Sequence, residues 1–472
     1  MVEMITKIND AINGVVWGIP MMILILGVGL FLTLGVKAIQ FTKFGHIMKN
    51  TLGKAFEKTE KKEGAVSPFK AMCTALAASI GTGNIAGVSG AIAIGGPGAV
   101  FWMWISALLG MATKYSEVTL AIHYRERNEK GDWIGGPMYY IKNGLGKNWK
   151  WLGAIFAVFG ALAAFGIGNM TQINTIAGTI GTAVKNVGGF ADGDAIMKAL
   201  PWVISILCAG ITAIVLLGGI QRLSDVCALL VPVMAIVYIV AALAVIVLKF
   251  DAIPAAFSAI FKGAFNPASV VGGAAGIGIK TAITKGVGRG IFSNEAGLGS
   301  APIAHAAADV DHPVKQGIFG VFEVFMDTIV VCTMTALVVL LGNGVGNIEW
   351  GTDIGANLTI NGFANAFGGS ALPSVMVAVC LTLFALSTVL TWSLYGQRCA
   401  EYLFGHEASK IYAVIFCIIA CFAGGVELKL AWAIADTLNG LMAIPNLIAL
   451  ALLSPVVFKL TKEYFSGIKA KK

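Results

Sequence analysis

The feature that most constrains this chain is a succession of long apolar stretches, each near the length that crosses a lipid bilayer. A membrane-spanning helix needs about 20 mostly apolar residues. With 57% hydrophobic and only 12% charged residues, the chain lacks the charge to cover a soluble surface. The sequence therefore predicts an all-α polytopic membrane protein with about eleven transmembrane helices. The predicted spans are 13–38, 66–93, 97–123, 151–183, 200–219, 226–248, 270–291, 314–341, 371–402, 410–425 and 428–461.

Lys and Arg residues are distributed unevenly over the loops between these spans. The 39–65 and 124–150 loops are rich in them, whereas the long 342–370 loop contains neither. Because cytoplasmic loops carry the excess of Lys and Arg, the pattern predicts an amino terminus outside the cell and a cytoplasmic carboxyl terminus. We therefore attribute the net charge of +8 to the Lys- and Arg-rich loops that orient the protein in the plasma membrane. It does not indicate nucleic-acid binding. The 13–38 stretch is predicted as a span, since its apolar core is too long for a signal peptide.

Two of the predicted spans carry a G-x-G element in mid-segment, where Gly costs about 1 kcal/mol relative to Ala in a helix. These elements are Gly81–Asn84 and Gly286–Arg289, and their segments run in opposite directions across the membrane. Matched interruptions of opposite direction are typical of inverted-repeat transporters and point to the binding site. The alternative is that these glycines only allow helices to pack closely.

A helix break at mid-membrane exposes backbone groups that must find partners. N–H groups where a half-helix begins, near Thr82, suit a carboxylate, and carbonyls where one ends, near Ile80, suit a cation. Ser387, Thr388 and Thr391 offer the hydroxyl oxygens that a hard cation also needs. The alternative for these hydroxyls is a bond back to a carbonyl of their own helix.

Two other polar features lie within spans. Asn169, Gln172 and Asn174 share one span, and because unpaired amides are costly in lipid, they either join helices or line a cavity. Trp392 lies about one helical turn beyond Thr388, on the same face. We expect its ring to limit substrate size, with packing against neighbouring helices as the alternative.

The run G-G-P-G-A-V-F-W-M-W-I-S-A-L-L-G, from Gly95 to Gly110, resembles the signature of the alanine or glycine:cation symporter family. Further similar blocks are G-T-G-N-I-A-G-V, G-G-P-M-Y-Y-I and G-I-F-S-N-E-A-G-L-G-S-A-P-I-A-H-A-A. The block F-A-L-S-T-V-L-T-W-S-L-Y-G-Q-R is similar too, although Gln397 and Arg398 stand where the family often has Glu or Lys. The resemblance extends over residues 10–460.

This resemblance implies Na+-coupled, in some members H+-coupled, uptake of alanine or glycine. It also implies a leucine-transporter-type fold, in which two five-helix inverted repeats follow one extra helix within a single domain, residues 1–472. The extra helix is then 13–38, the first repeat about 66–248 and the second about 270–461.

The resemblance also assigns roles to individual residues. The positions of Thr82 and Gly83 give N–H groups to the substrate carboxylate, and those of Ser79 and Asn84 contact a second sodium ion in some relatives, although their partners on the sixth core helix do not obviously match. The predicted substrate-binding residues are Ser79, Thr82, Gly83, Asn84, Gln172, Thr284, Gly286 and Trp392. The predicted sodium-binding residues are Ala77, Ile80, Ser387 and Thr388. No cofactor is implied besides Na+ as the coupling ion.

Ionisable side chains within spans are suspected of function by default. Glu323 and Asp327 lie one helical turn apart and are candidates for a proton relay, which is the main rival for the coupling ion. The favoured alternative is that they pair with a cation such as Lys285 or Arg289. Two other predictions are that Lys114 pairs with Glu117 at the membrane interface and that Glu295 caps or gates the inner side.

Other function classes lack their sequence signatures. No H-E-x-x-H or G-x-S-x-G motif indicates an enzyme, and no G-x-x-x-x-G-K-[ST] loop indicates an ATP-driven pump. No repeated filter sequence indicates an ion channel. The sequence therefore predicts a secondary symporter whose partners are alanine, glycine and the lipid bilayer, with proton coupling as the alternative.

Overall fold

The computed structural model describes residues 2–54, 64–271, 277–352, 354–369, 372–425 and 429–470. Most of these residues are helical. The one sheet among them is a short antiparallel hairpin formed by β1 (Glu126–Arg127) and β2 (Trp133–Ile134).

The first half of the chain forms helices that follow the predicted spans. They are α1 (Val2–Val16), α2 (Ile19–Gly35), α3 (Ile39–Thr42), α4 (Phe44–Thr51), α5 (Pro68–Ser79), α6 (Val88–Gly95), α7 (Gly98–His123), α8 (Pro137–Tyr140), α9 (Lys150–Phe165), α10 (Thr171–Gly188), α11 (Ala195–Leu216) and α12 (Gly219–Leu248). A π-helical turn over Gly83–Gly87 separates α5 from α6, and another over Gly166–Met170 joins α9 to α10.

The second half begins with two helices before the next predicted span. Its helices are α13 (Ile253–Phe265), α14 (Ala268–Val271), α15 (Ile279–Asn294), α16 (Ala301–His305), α17 (Pro313–Val324), α18 (Thr333–Asn343), α19 (Asn357–Ala366), α20 (Leu372–Phe404), α21 (His406–Phe422), α22 (Lys429–Leu441) and α23 (Ala443–Ala470). Parts of three predicted spans, residues 272–276, 371 and 428, lie outside the described residues.

Not every predicted span has the length and composition of a membrane helix. Among the described residues, seven helical stretches are long and apolar enough to cross a membrane, or eight if the bent pair α5 and α6 counts as one span. With 16 and 17 residues, α15 and α21 are shorter than a usual span. The predicted number of about eleven, the inverted repeat and the orientation of the termini therefore stay predictions.

Apolar side chains lie on the surface and charged side chains lie in the interior, which is the opposite of the distribution in a soluble protein. Leu217 and Leu229 are 86% and 72% exposed on α11–α12, whereas Lys114, Glu323 and Asp327 are completely buried. An exposed aliphatic surface is stable in lipid, where polar groups must find partners inside the protein. The distribution confirms a multi-pass membrane protein.

Helix α5 packs against several other helices. It contacts α12, α16 and α20, while α7 packs against α15 and α17. The ends of α5 and α16 are also joined, because Val66 forms a parallel bridge with Ala308. This arrangement brings the two helices that are interrupted, α5–α6 and α15–α16, next to each other.

Candidate functional site

The first predicted break is present at the predicted residues. α5 ends at Ser79, and the helix resumes at Gly83 with its axis bent by 51°. The side chain of Asn84 closes the break, because its Oδ1 accepts a hydrogen bond of 2.9 Å from the Gly81 N–H. A Cβ on Gly81 would lie 2.5 Å from Thr388 Oγ1, so this glycine lets α20 approach the break.

The backbone N–H groups at this break are buried. One of them contacts Gln172, whose amide the sequence predicted either to join helices or to line a cavity. The Thr82 N–H donates to Gln172 Oε1 at 3.4 Å, and Gln172 in turn donates from Nε2 to the Ile167 carbonyl at 3.0 Å. A Cβ on Gly83 would lie 3.4 Å from the Phe292 ring and from Ser293 Cα, so α15 closes the other side. Backbone N–H groups at a helix start, with little space around them, can bind a small anionic group.

Two hydroxyls of α20 reach the end of α5. The distance to the Ala77 carbonyl oxygen is 3.2 Å from Ser387 Oγ and 3.1 Å from Thr388 Oγ1. Both hydroxyls also lie within 3.0 Å of the Phe384 carbonyl in their own helix, which is the contact that the alternative interpretation expects, and their role as cation ligands stays a prediction. Neutral hydroxyl and carbonyl oxygens in a buried place are ligands that fit a hard monovalent cation. The fourth predicted ligand, Ile80, follows where α5 ends.

The second break lies elsewhere than predicted. α15 continues without interruption through Gly286–Arg289 to Asn294, and the chain leaves helical geometry only at Glu295–Ser300. Glu295, Gly297 and Gly299 all have positive φ, of 55°, 90° and 83°. The prediction of a break at Gly286 was therefore wrong, and the signal that marks the true break is the run E-A-G-L-G-S.

Gly286 and Thr284 have ordinary helical roles instead. A Cβ on Gly286 would overlap the carbonyl oxygen of Ala99 in α7, which is the close-packing alternative. Thr284 Oγ1 donates back to the Lys280 carbonyl at 2.9 Å. The structure does not bring these two residues to the other predicted site residues.

Trp392 stands beside the second break. Its Nε1 donates to Glu295 Oε1 at 2.9 Å, and Ser300 Oγ donates to the other carboxylate oxygen at 2.5 Å. A Cβ on Gly168 would overlap the Trp392 side chain, so the ring packs directly against the π-helical turn that joins α9 to α10. Trp392 thus couples α20 to the second break through Glu295, which is buried and follows the last residue of α15.

Glu323 pairs with a cation, as the favoured interpretation of the sequence predicted, but the partners named for the buried charges were wrong. Glu323 pairs with Lys114 at 3.4 Å and His305 at 2.9 Å, and not with Lys285 or Arg289. Lys114 is completely buried in the middle of α7 and not at the interface, because long-range packing of α7 on α17 brings it to the carboxylate.

Glu117 and Ser79, which had other predicted roles, both make polar contacts in the buried interior. Glu117 accepts hydrogen bonds from the Gly297 N–H at 3.0 Å and from Asn446 Nδ2 at 2.6 Å. Ser79, predicted in the substrate site, donates to Glu323 Oε1 at 3.0 Å. Neither contact was foreseeable from spacing, since the partners lie far apart along the chain.

An apolar outer surface, two adjoining helix breaks and buried polar groups at their ends are the features of a secondary membrane transporter. Residues 2–472 match the model of the sodium:alanine symporter family, and the chain belongs to that family. It is therefore a transporter and not an enzyme.

Named relatives and a solved structure agree with this assignment. The chain is 45% identical over 460 residues to the sodium/alanine symporter AgcS of Methanococcus maripaludis, covering 96% of each chain. It is 34% identical to the probable sodium/glutamine symporter GlnT of Bacillus subtilis, covering 100% of this chain and 93% of the relative. MhsT, crystallised with L-phenylalanine, is similar in structure with a TM-score of 0.55 at 14% identity, covering 85% of this chain and 99% of MhsT. This likeness confirms the leucine-transporter-type fold class.

Proposed function

We propose that the protein couples inward Na+ movement to uptake of small neutral amino acids, alanine and glycine, across the plasma membrane by alternating access. The observation that carries the proposal is the contact of the Ser387 and Thr388 hydroxyls with the Ala77 carbonyl, directly before a helix break. A cation held by α20 and the end of α5 would tie these two helices together, so that its binding favours one arrangement of the break.

The substrate is proposed to lie at the break, next to this ion. The N–H groups of Thr82, Gly83 and Asn84 would bind its carboxylate, with the Gln172 side chain alongside. Space favours a small side chain, because a Cβ on Gly83 would already lie 3.4 Å from Phe292. Trp392 is 1% exposed, and its bulk would exclude larger amino acids from the side of α20.

The names of relatives support Na+ and leave the amino acid open. AgcS is named a sodium/alanine symporter and GlnT a probable sodium/glutamine symporter, so the ion is common to both names while the substrate differs. The predicted orientation, with the amino terminus outside and the carboxyl terminus cytoplasmic, would direct the Lys- and Arg-rich loops inward.

The test is uptake of labelled alanine by proteoliposomes at varied Na+ concentration. Replacing both hydroxyls, Ser387→Ala with Thr388→Ala, should raise the Na+ concentration for half-maximal uptake at least about tenfold, equivalent to about 1.4 kcal/mol. Thr391→Ala is the matched control, because its hydroxyl makes a similar 3.0 Å bond to the Thr74 carbonyl one turn along. We expect this control to change the Na+ dependence much less.

Proton coupling is the second candidate, and one contact favours it. His305 Nε2 lies 2.9 Å from Glu323 Oε2 in the buried interior, and such a pair can carry a proton. Uptake that ignores Na+ and follows an imposed pH gradient would contradict the Na+ proposal and favour this pair as the coupling site.

A further inference from the structure

Four carboxyl side chains in the described part of the chain are at most 3% exposed, and Glu295 is the one among them that bonds an aromatic ring. Glu323 forms the ion pair with Lys114. Asp327 accepts hydrogen bonds from neutral side chains, and no described Lys or Arg pairs with it, contrary to the favoured interpretation of the sequence. Glu295 therefore stands apart, because it links a helix break to a ring.

The backbone at Glu295 adopts a conformation that is unfavourable for residues with a Cβ. Its φ is 55°, and Lys37 and Ala38 are the other non-glycine residues of the described chain with a positive φ. Glycine would occupy this position without the steric cost. Residues held in such conformations are concentrated at binding and switch sites, so the side chain of Glu295 requires a functional account.

The two carboxylate oxygens of Glu295 have different partners. Oε1 accepts a hydrogen bond of 2.9 Å from Trp392 Nε1, and Oε2 accepts one of 2.5 Å from Ser300 Oγ. Ser300 lies directly before α16, so the second contact joins the two ends of the second break. One buried carboxylate thus connects the second break to the ring on α20.

The orientation of the Trp392 ring depends on this carboxylate. The indole has one polar atom, and Glu295 is its acceptor. The other contacts are apolar packing, against Tyr395 with ring centroids 5.5 Å apart and against Gly168. Without the acceptor, the buried N–H group would be left unpaired, which is costly, and the ring would turn to another rotamer to find a partner.

The ring also lies beside the groups that hold the first break. Gly168 belongs to the same π-helical turn as Ile167, whose carbonyl accepts a hydrogen bond from Gln172 Nε2. Gln172 Oε1 in turn accepts the Thr82 N–H of the first break. A turn of the Trp392 ring therefore changes the space next to the proposed substrate position.

We propose that Glu295 is a positioning residue that sets the size limit for the transported amino acid by holding the Trp392 ring in one orientation. The inference rests on the proposed function, in which the substrate lies at the first break and this ring excludes larger side chains. The carboxylate touches the ring and not the substrate, so Glu295 acts on selectivity through Trp392.

A purely electrostatic role is the alternative for Glu295, because the buried charge of Lys114 attracts its carboxylate. The two roles have different chemical requirements. Charge balance requires an ionised carboxylate, whereas positioning requires only an acceptor oxygen, which a glutamine also supplies.

The experiment measures selectivity in proteoliposomes at saturating Na+, as the concentration of unlabelled leucine that halves uptake of labelled alanine, divided by that of unlabelled alanine. Glu295→Gly removes the side chain and relieves the positive φ, so the backbone is not destabilised. We expect the selectivity ratio to fall at least about tenfold. Glu295→Gln should stay close to the wild-type ratio.

Trp392→Phe breaks the same hydrogen bond from the other side while keeping an aromatic ring. We expect the same fall in the selectivity ratio as for Glu295→Gly. The double variant should fall no further, because two residues that act through one contact are not additive.

The matched control is another indole N–H with a side-chain acceptor. Trp104 Nε1 donates to Thr333 Oγ1 at 2.8 Å, and Thr333 lies in α18, outside both breaks. Thr333→Ala should keep the wild-type selectivity ratio, and thermal unfolding reports whether each variant is folded.

The outcomes separate this inference from the proposed function. An unchanged ratio in folded Glu295→Gly, an equal fall in Glu295→Gln, or a further fall in the double variant overturns the positioning role while alanine uptake still requires Na+. Trp392→Ala tests the ring itself, and an unchanged ratio there removes the size limit from the proposed function and this inference with it. Wild-type uptake that does not depend on Na+ contradicts the proposed coupling alone.

Discussion

The two helix breaks use glycine for different physical reasons. Across residues 79–88, all of which the structure describes, no residue has a positive φ, and Gly81 and Gly83 serve to bring neighbouring helices close. At the second break, Glu295, Gly297 and Gly299 have positive φ in the segment that separates α15 from α16. The first break is a bend whose Gly81 and Thr82 N–H groups donate to the Asn84 and Gln172 side chains, and the second is an interruption made by left-handed backbone conformations.

This difference predicts that Gly83 is needed for ligand binding and not for folding. Gly83→Val should abolish alanine binding, because its methyl groups would extend from a Cβ already 3.4 Å from Phe292 into the space before the helix start. Binding of labelled alanine to purified protein measures the effect, and a thermal unfolding curve reports the fold.

The control for Gly83 is another glycine in an apolar helix. Gly27 in α2 has nothing within 4 Å of the position of a Cβ, so Gly27→Val should bind alanine as the wild type does. A folded Gly83→Val protein with wild-type affinity would place the substrate away from the first break.

The second break predicts the opposite behaviour, a loss of stability. Gly299→Ala places a Cβ 2.6 Å from Pro137 and 2.8 Å from Phe156, in a left-handed conformation that alone costs roughly 1–2 kcal/mol. We expect a total loss of about 2–4 kcal/mol, measured as a lower unfolding temperature of the purified protein.

Gly405→Ala separates backbone strain from steric overlap. Gly405 also has a positive φ, of 87°, but no atom lies within 4 Å of its Cβ position. The Gly405→Ala variant should lose only the strain energy, roughly 1–2 kcal/mol. Equal losses in the two variants would show that the Pro137 and Phe156 side chains move to accept a methyl group at Gly299.

The comparison also shows which parts of the site are readable from sequence. The first break and its hydroxyl partners were predictable, because a G-x-G element and a Ser-Thr pair are local signals whose chemistry is specific inside a membrane. The second break was misplaced because Gly286 and Gly81 have the same local pattern, although Gly286 serves helix packing. The two glycines are distinguished by their neighbours on other helices, because Gly286 faces the Ala99 carbonyl of α7 and Gly81 faces Thr388 of α20.

The buried charges were the least predictable part. Lys114 and Glu323 lie on α7 and α17, more than 200 residues apart, and nothing in the spacing of either segment selects the other. Local reasoning paired Lys114 with Glu117 on its own helix, whereas the fold directs Glu117 to Gly297 at the second break. Long-range pairs of this kind depend on the three-dimensional packing of whole helices.

The smallest predicted effect is a gain of stability where the sequence had suggested a break. Gly288 lies inside the continuous helix α15, and its nearest neighbour to a new Cβ is the flexible Met22 side chain at 3.6 Å. Because Gly in a helix interior costs about 1 kcal/mol relative to Ala, Gly288→Ala should raise the unfolding temperature slightly and leave alanine transport unchanged. Gly286→Ala, two residues earlier, should lower it, since its Cβ would overlap the Ala99 carbonyl. If Gly288→Ala instead destroyed transport in a folded protein, the helix would have to open at this point during the cycle, and the two breaks would be more alike than their backbones indicate.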